Sequence, residues 1–248
     1  MKKIFLICIL VLPSAAAAFD RSELTEFNDL YRNGRYEEAL EGYNKVTARE
    51  PANPWGWYNA GNAHFRLNRP GPAIFNYARA FKLNPRAADI RFNLEFALRQ
   101  TGQKLVPESV PKALYYLYYL LSEGEIKALA ICFFWIACLA GAAGFLLDGA
   151  KSGTAAARTA LLGGVICVAM LAWLGARMTS TFSYAGVVTR EGGTKLLSGP
   201  GANFKTYASA PEGKLVKILD WTDDDYYEIG LPKEGIKGWA LKTEVEKI

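Results

Sequence analysis

The chain reads as a multidomain protein with three structural classes in series: an α-helical repeat domain, a two-helix transmembrane hairpin and a small all-β barrel. Three observations carry that reading. The sequence matches itself at an offset of 34 residues between positions 28 and 93, as stacked helix pairs do. Two later runs of eighteen or more residues contain no charged side chain, enough to cross a bilayer. Beyond them the apolar period shifts from helical to alternating, with Gly, Pro and Asp clusters about every ten residues.

Composition agrees with an uneven chain. It has 248 residues, 51% of them apolar, and a mean hydropathy of +0.03, greasier than one ordinary soluble domain, and the excess is local. A net charge of +5 is too diffuse for a dedicated nucleic-acid face. One histidine, and four cysteines (Cys8, Cys132, Cys138, Cys167) that all fall in apolar runs, leave no zinc site, haem ligand set or disulfide framework to build.

Residues 1–18 read as a secretory signal. Lys2 and Lys3 precede an apolar run over 4–12, followed by Pro13, Ser14 and small residues up to Ala18, where cleavage is expected. A run of that length falls short of the roughly twenty residues a ~30 Å hydrocarbon core requires.

Residues 126–147 and 159–176 are the two expected spans. The connection 148–158 carries Lys151 and Arg158 against Asp148, and its positive balance places it in the cytoplasm. With the N-terminus exported, the flanking soluble segments then share the same, non-cytoplasmic side. Ala137, Ala140, Gly141 and Gly144 on the first span, and Gly163 and Gly164 on the second, are small enough for close helix approach. Neither run carries Asp, Glu, Arg or His at its middle, which argues against transport or proton relay.

The repeat domain is expected over 20–103. Ala39 aligns with Ala73, Tyr43 with Tyr77, Val46 with Ala80 and Pro51 with Pro85, and upstream Asn28 with Asn62, Arg32 with Arg66 and Asn59 with Asn93. The second unit places Trp57, Gly61, Ala73, Tyr77, Ala80 and Pro85 at spacings that resemble the tetratricopeptide family. The first unit has Glu23 and Phe27 where that family prefers Trp and Gly, and residues 88–99 would cap the stack. The resemblance implies that the first helix of each pair lines a concave face. Asn28, Arg32, Asn59, Asn62, Phe65, Arg66 and Asn93 are thus the expected peptide-binding residues, alongside Tyr31: amides can pair with a peptide backbone and aromatics can hold an apolar side chain. Members that clamp a terminal carboxylate use lysines where this chain has Leu24, Trp55 and Tyr58, so chaperone-tail recognition is not expected. Between 51 and 88 there are five cations, Arg66, Arg69, Arg79, Lys82 and Arg86, and no acid, an imbalance that suits either an acidic partner or a solvated face. His64 stands where the family has Tyr, and a packed role is expected.

Residues 104–125 form a linker with a short apolar stretch rich in tyrosine (Tyr115, Tyr116, Tyr118, Tyr119). It reads as an interfacial helix, since such rings suit the headgroup zone; a helix packed on the last repeat is the other reading. In the tail, 185–248, strands are expected at 185–189, 213–219, 226–231 and 238–241. The order LSGPG at 197–201, EGKLVKILD, WTDDDYYEIGL and GIKGWAL resembles the bacterial SH3-like family, with Leu197 in place of that family's Arg. Trp221, Tyr226 and Tyr227, with Phe204 and Tyr207, form a candidate ligand surface, although a domain this small needs some of them for its core. The glycines before Trp239 suit a tight barrel corner.

No segment assembles a nucleophile with a base or a phosphate loop, so no enzyme, cofactor or metal is expected. Asp223-Asp224-Asp225 lacks the ligand spacing of a calcium loop and reads as a turn. The whole order of modules is similar to the BatE-type proteins of the bacterial aerotolerance operon. That resemblance implies a non-enzymatic membrane scaffold working with von Willebrand-type proteins of the same operon. A peptidoglycan-binding or envelope-sensing protein that uses the SH3-like barrel is the alternative.

Overall fold

The computed structural model describes residues 21–146, 150–179 and 186–248; the signal read over 1–18 lies outside them. Five helices open the chain: α1 (Arg21–Arg32), α2 (Tyr36–Arg49), α3 (Pro54–Arg66), α4 (Pro70–Leu83) and α5 (Ala88–Gln100). They form two antiparallel pairs and one further helix, as the 34-residue period predicts. Local signals set the boundaries. The Asn53 side chain accepts from the Trp55 N–H at 3.0 Å just ahead of Pro54 at the start of α3, satisfying a donor the helix leaves open. Asn68 turns the chain into α4 at φ 56, a left-handed conformation asparagine tolerates.

The two pairs solve the same packing problem in opposite ways. In the second, Gly61 faces Tyr77, and a Cβ there would lie 2.7 Å from the ring. In the first, Phe27 occupies the position equivalent to Gly61, and the space comes from the facing helix: a Cβ on Gly42 would lie 2.2 Å from the Phe27 ring. Bulk on one helix is matched by its absence on the other, which keeps density constant across the interface.

Helix α6 (Lys112–Tyr118) turns Tyr115 into the core formed by Ile74, Tyr77, Phe81, Leu94 and Leu98, and Tyr116 donates to Glu95 Oε1. Tyr115 and Tyr116 thus pack on the repeat, while Leu114 and Leu117 face outward. Next come α7 (Glu123–Leu146) and α8 (Ala150–Thr179), paired as a hairpin. Glu123–Leu146 and Gly153–Arg177 are long and apolar enough to cross a membrane, and only 6% and 11% of their apolar windows are buried, unlike the core helices of a soluble protein. Residues 150–158, expected as part of the connection, form the first turns of α8; the alanines of AKSGTAAAR favour helix. Among the glycines expected at the contact, Gly163 meets the Phe133 carbonyl and Ala137 within 3.3 Å of a notional Cβ, and Gly144 meets Ala156 at 3.2 Å. Gly141 and Gly164 have nothing within 4 Å and face away.

The tail is an antiparallel sheet of β1 (Gly186–Val188), β2 (Thr194–Leu197), β3 (Thr206–Ala210), β4 (Leu215–Asp220), β5 (Tyr226–Leu231), β6 (Ile236–Leu241) and β7 (Val245–Lys247), ordered β3-β2-β6-β5-β4-β1-β7. Among the described residues the ladder ends at β3 and β7, with no pairing that closes it into a barrel. Its core is aliphatic: Val188, Leu196, Val216, Ile218, Ile229, Leu231 and Val245. Of the aromatics weighed as core residues, Tyr227 packs against it half-buried, whereas Phe204, Tyr207 and Trp221 are exposed. Gly238 does mark a close approach, since a Cβ would lie 2.7 Å from the Tyr207 hydroxyl, and Asp223 makes the expected turn by accepting from the N–H groups of Asp225 and Tyr226.

Repeat and sheet share a core. Val187, Leu215 and Ile248 are buried with Ala73, Ile74, Tyr77 and Leu98. Gln103, itself buried, donates through Nε2 to the Gly213 carbonyl at 2.8 Å and accepts from the Leu215 N–H at 2.9 Å. At Gly71 a side chain would strike the Val188 carbonyl at 2.7 Å, and its N–H donates to Glu212. Repeat and sheet therefore stand together, and Lys82 and Arg86 of the repeat segment meet Glu123 and Glu125 at the start of α7.

Candidate peptide-binding groove

A hydrogen-bond motif that recurs at the repeat period links α1, α3 and α5. Asn28 Oδ1 accepts from the Tyr43 hydroxyl at 2.7 Å and from Asn59 Nδ2 at 3.2 Å. One repeat on, Asn62 Oδ1 accepts from the Tyr77 hydroxyl at 2.8 Å and from Asn93 Nδ2 at 2.9 Å. The second helix of each pair supplies the tyrosine; successive first helices supply the asparagines. Burial raises the pKa of both tyrosines, so their hydroxyls stay protonated and donate.

Asn62 and Asn93 line a cavity of about 270 Å³ with Tyr31, Phe65, Arg66, Tyr77, Phe92 and Phe96. Phe92 and Phe96 stack at 6.4 Å and Phe65 meets Phe96 edge-on at 5.6 Å. Phe92 is 63% exposed, a large apolar surface left to solvent. Arg66 is held from behind: the Tyr36 hydroxyl accepts from its Nε and Nη2, and the guanidinium lies 5.0 Å from that ring.

The residues expected from the sequence thus divide. Asn62, Phe65, Arg66 and Asn93 share the cavity. Asn28 and Asn59 pair with each other next to it. Arg32 is turned to Asp29 at 2.8 Å and does not line the cavity. Phe92 and Phe96 were missed because α5 reads as a cap; their i, i+4 spacing around Asn93 was the available signal. His64 is half-buried, and burial, aided by Arg69, lowers its pKa to about 4, in keeping with a packed neutral ring.

The cation-rich stretch is largely used within the chain. Arg86 pairs with Glu125 and Lys82 lies 3.6 Å from Glu123, both acids at the start of α7, while Arg79 covers the Trp57 ring at 4.9 Å. On the sheet, Trp221 lies exposed under Lys247 at 5.5 Å, Tyr227 sits under Lys242 at 5.0 Å, and Tyr226 is half-buried.

A family model for the TPR (tetratricopeptide) repeat matches residues 28–68, which carry part of α1 and all of α2 and α3. Such repeats are generally non-enzymatic protein-interaction modules. No curated protein matches the chain in sequence.

Proposed function

We propose that this chain is a non-enzymatic scaffold of a bacterial inner membrane, with repeat and sheet on the periplasmic side, assembling other envelope proteins. The observation that carries the reading is the aromatic groove: exposed phenylalanines beside polar amides, on an interaction-type repeat, held at one end of an apolar hairpin. The resemblance to BatE-type proteins makes von Willebrand-type membrane proteins of an aerotolerance complex the expected partners. The tail is an SH3-like domain in this reading, a second contact rather than the main one.

Since repeat and sheet share a core, deleting either would expose the other, so point variants on exposed residues make the better test. Full-length protein carrying Phe92→Ser should recover fewer membrane partners than wild type from detergent-solubilised envelopes. Equal recovery would remove the groove from the function. A second reading rests on exposed Trp221 beside Lys247: a sheet that grips cell-wall peptides. Tight binding of purified peptidoglycan, abolished by Trp221→Ala, with no protein partner recovered, would put that reading in place of the scaffold.

A further inference from the structure

If the groove is a peptide site, as the proposed function holds, its free polar atoms and its charge also select which peptide it takes. In the pair Asn62–Asn93 the internal hydrogen bonds fix which amide atoms remain. Asn62 uses Oδ1 for both Tyr77 and Asn93, so its Nδ2 donors are not committed among the described bonds. Asn93 uses Nδ2 for Tyr58 and Asn62, so its Oδ1 acceptor is the uncommitted atom. One donor and one acceptor therefore sit on neighbouring first helices, the complement of the C=O and N–H of one residue in an extended chain. Beside them the Phe65–Phe92–Phe96 cluster offers an apolar seat.

Electrostatics gives the third element. No carboxylate lines this cavity among the described residues. Of the five cations between residues 51 and 88, Lys82 and Arg86 face acids of α7 and Arg79 lies on Trp57. Arg66 is the one that lines the groove, and it donates to the neutral Tyr36 hydroxyl, which orients the guanidinium without cancelling its charge. A fixed, uncompensated guanidinium is a carboxylate receptor.

We infer that the groove takes an extended peptide segment bearing an aromatic or large aliphatic residue next to an acidic one. The apolar side chain enters the Phe65–Phe92–Phe96 seat, the backbone of that segment pairs with Asn62 and Asn93, and the acid meets Arg66. The test uses the full-length chain in lipid nanodiscs, panned with a phage-displayed library of random octapeptides. Wild type should enrich sequences with an aromatic or aliphatic residue adjacent to Asp or Glu. For a synthetic enriched peptide, changing its acid to the amide, or making Arg66→Gln in the protein, should each weaken binding roughly three- to tenfold, with little further loss when combined. Phe92→Ser should weaken all enriched peptides. Both protein sites are exposed, and circular dichroism checks that the variants are folded. Enrichment without an acidic preference, or indifference to Arg66→Gln, overturns this inference and leaves peptide binding standing. If wild type enriches nothing over empty nanodiscs, the groove reading itself falls.

Discussion

Gln103 closes the repeat stack onto the sheet by gripping Leu215 and the backbone two residues before it: the same side-chain amide accepts the Leu215 N–H and donates to the Gly213 carbonyl. The Leu215 N–H opens β4 and the Gly213 carbonyl lies in the turn just before it, where β1 pairs with Leu215 and Val216. An acceptor and a donor at the entry to β4 are thus satisfied from a residue more than a hundred positions earlier.

Gln103→Ala should cost about 1–3 kcal/mol for each buried backbone group left without a partner. The measurement is thermal unfolding of the detergent-solubilised chain together with amide hydrogen exchange. Leu215 should exchange much faster, whereas Ile229, in the middle of the sheet, should change only as far as global stability changes. Unaltered protection at Leu215 would show that the junction does not depend on this amide.

The hairpin gives a paired test. Gly163→Leu must displace the Phe133 carbonyl or Ala137 backbone, which approach within 3.2 Å of a notional Cβ, and overpacking of this kind costs roughly 1–3 kcal/mol. Gly164→Leu places the same side chain where nothing lies within 4 Å. The first variant should lower the unfolding temperature in detergent and the second should not. Equal effects would rule out the contact described between α7 and α8.

His64 makes stability depend on pH. Burial first, then the charge of Arg69, lowers its pKa from 6.5 to about 4. The unfolded chain therefore binds the extra proton between those values. The contribution is complete above pH 6.5 and is lost as the pH falls toward 4, with a ceiling of about 3 kcal/mol at 1.36 kcal/mol per pH unit, reduced by the ring's partial exposure. His64→Gln should flatten that part of the profile: the difference in unfolding temperature between pH 7 and pH 4.5 should shrink relative to wild type. An unchanged difference would assign the pH response to the carboxylates.

Periodicity made much of this architecture legible. The 34-residue offset located the helix pairs and the asparagines that recur in the groove, and the charge-free runs located α7 and α8. Side-chain direction was less legible. Tyr115 and Tyr116 suit a membrane interface by chemistry, yet they face the repeat because Ile74, Tyr77 and Leu98 leave an apolar wall there for α6. Strands β2, β3 and β7 were missed: β2 and β3 carry too few apolar residues in strict alternation (TKLL, TYASA), and β7 has three residues in all. The acids that balance Lys82 and Arg86 lie about forty residues downstream in a different element, beyond the reach of a local charge count. Phe27 departs from the family pattern in the first repeat, and its compensation, Gly42, lies on the facing helix, where no local comparison finds it.

The outward face of α6 bears on how the chain meets lipid. Leu114, Leu117 and, just past the helix, Leu120 are 57%, 61% and 46% exposed, and α7 begins at Glu123. Arg177, in the last turn of α8, donates to the Leu121 carbonyl and covers the Tyr119 ring at 4.8 Å, so this segment is held against the end of the hairpin where α7 begins and α8 closes. If that end emerges from a bilayer, the leucines lie at the interface. Burying one such side chain fully contributes about 1.5–3 kcal/mol, and partial burial in the headgroup region correspondingly less. With the native cysteines replaced by alanine, a nitroxide attached at Leu117→Cys should, in nanodiscs, collide readily with oxygen and poorly with a water-soluble nickel chelate. Leu114→Glu combined with Leu120→Glu should reverse that ratio while the chain stays in the membrane fraction, because the hairpin still holds it there. Free access of the chelate to position 117 in the otherwise unaltered protein would place α6 clear of the lipid, and its leucines would then need a protein to cover them.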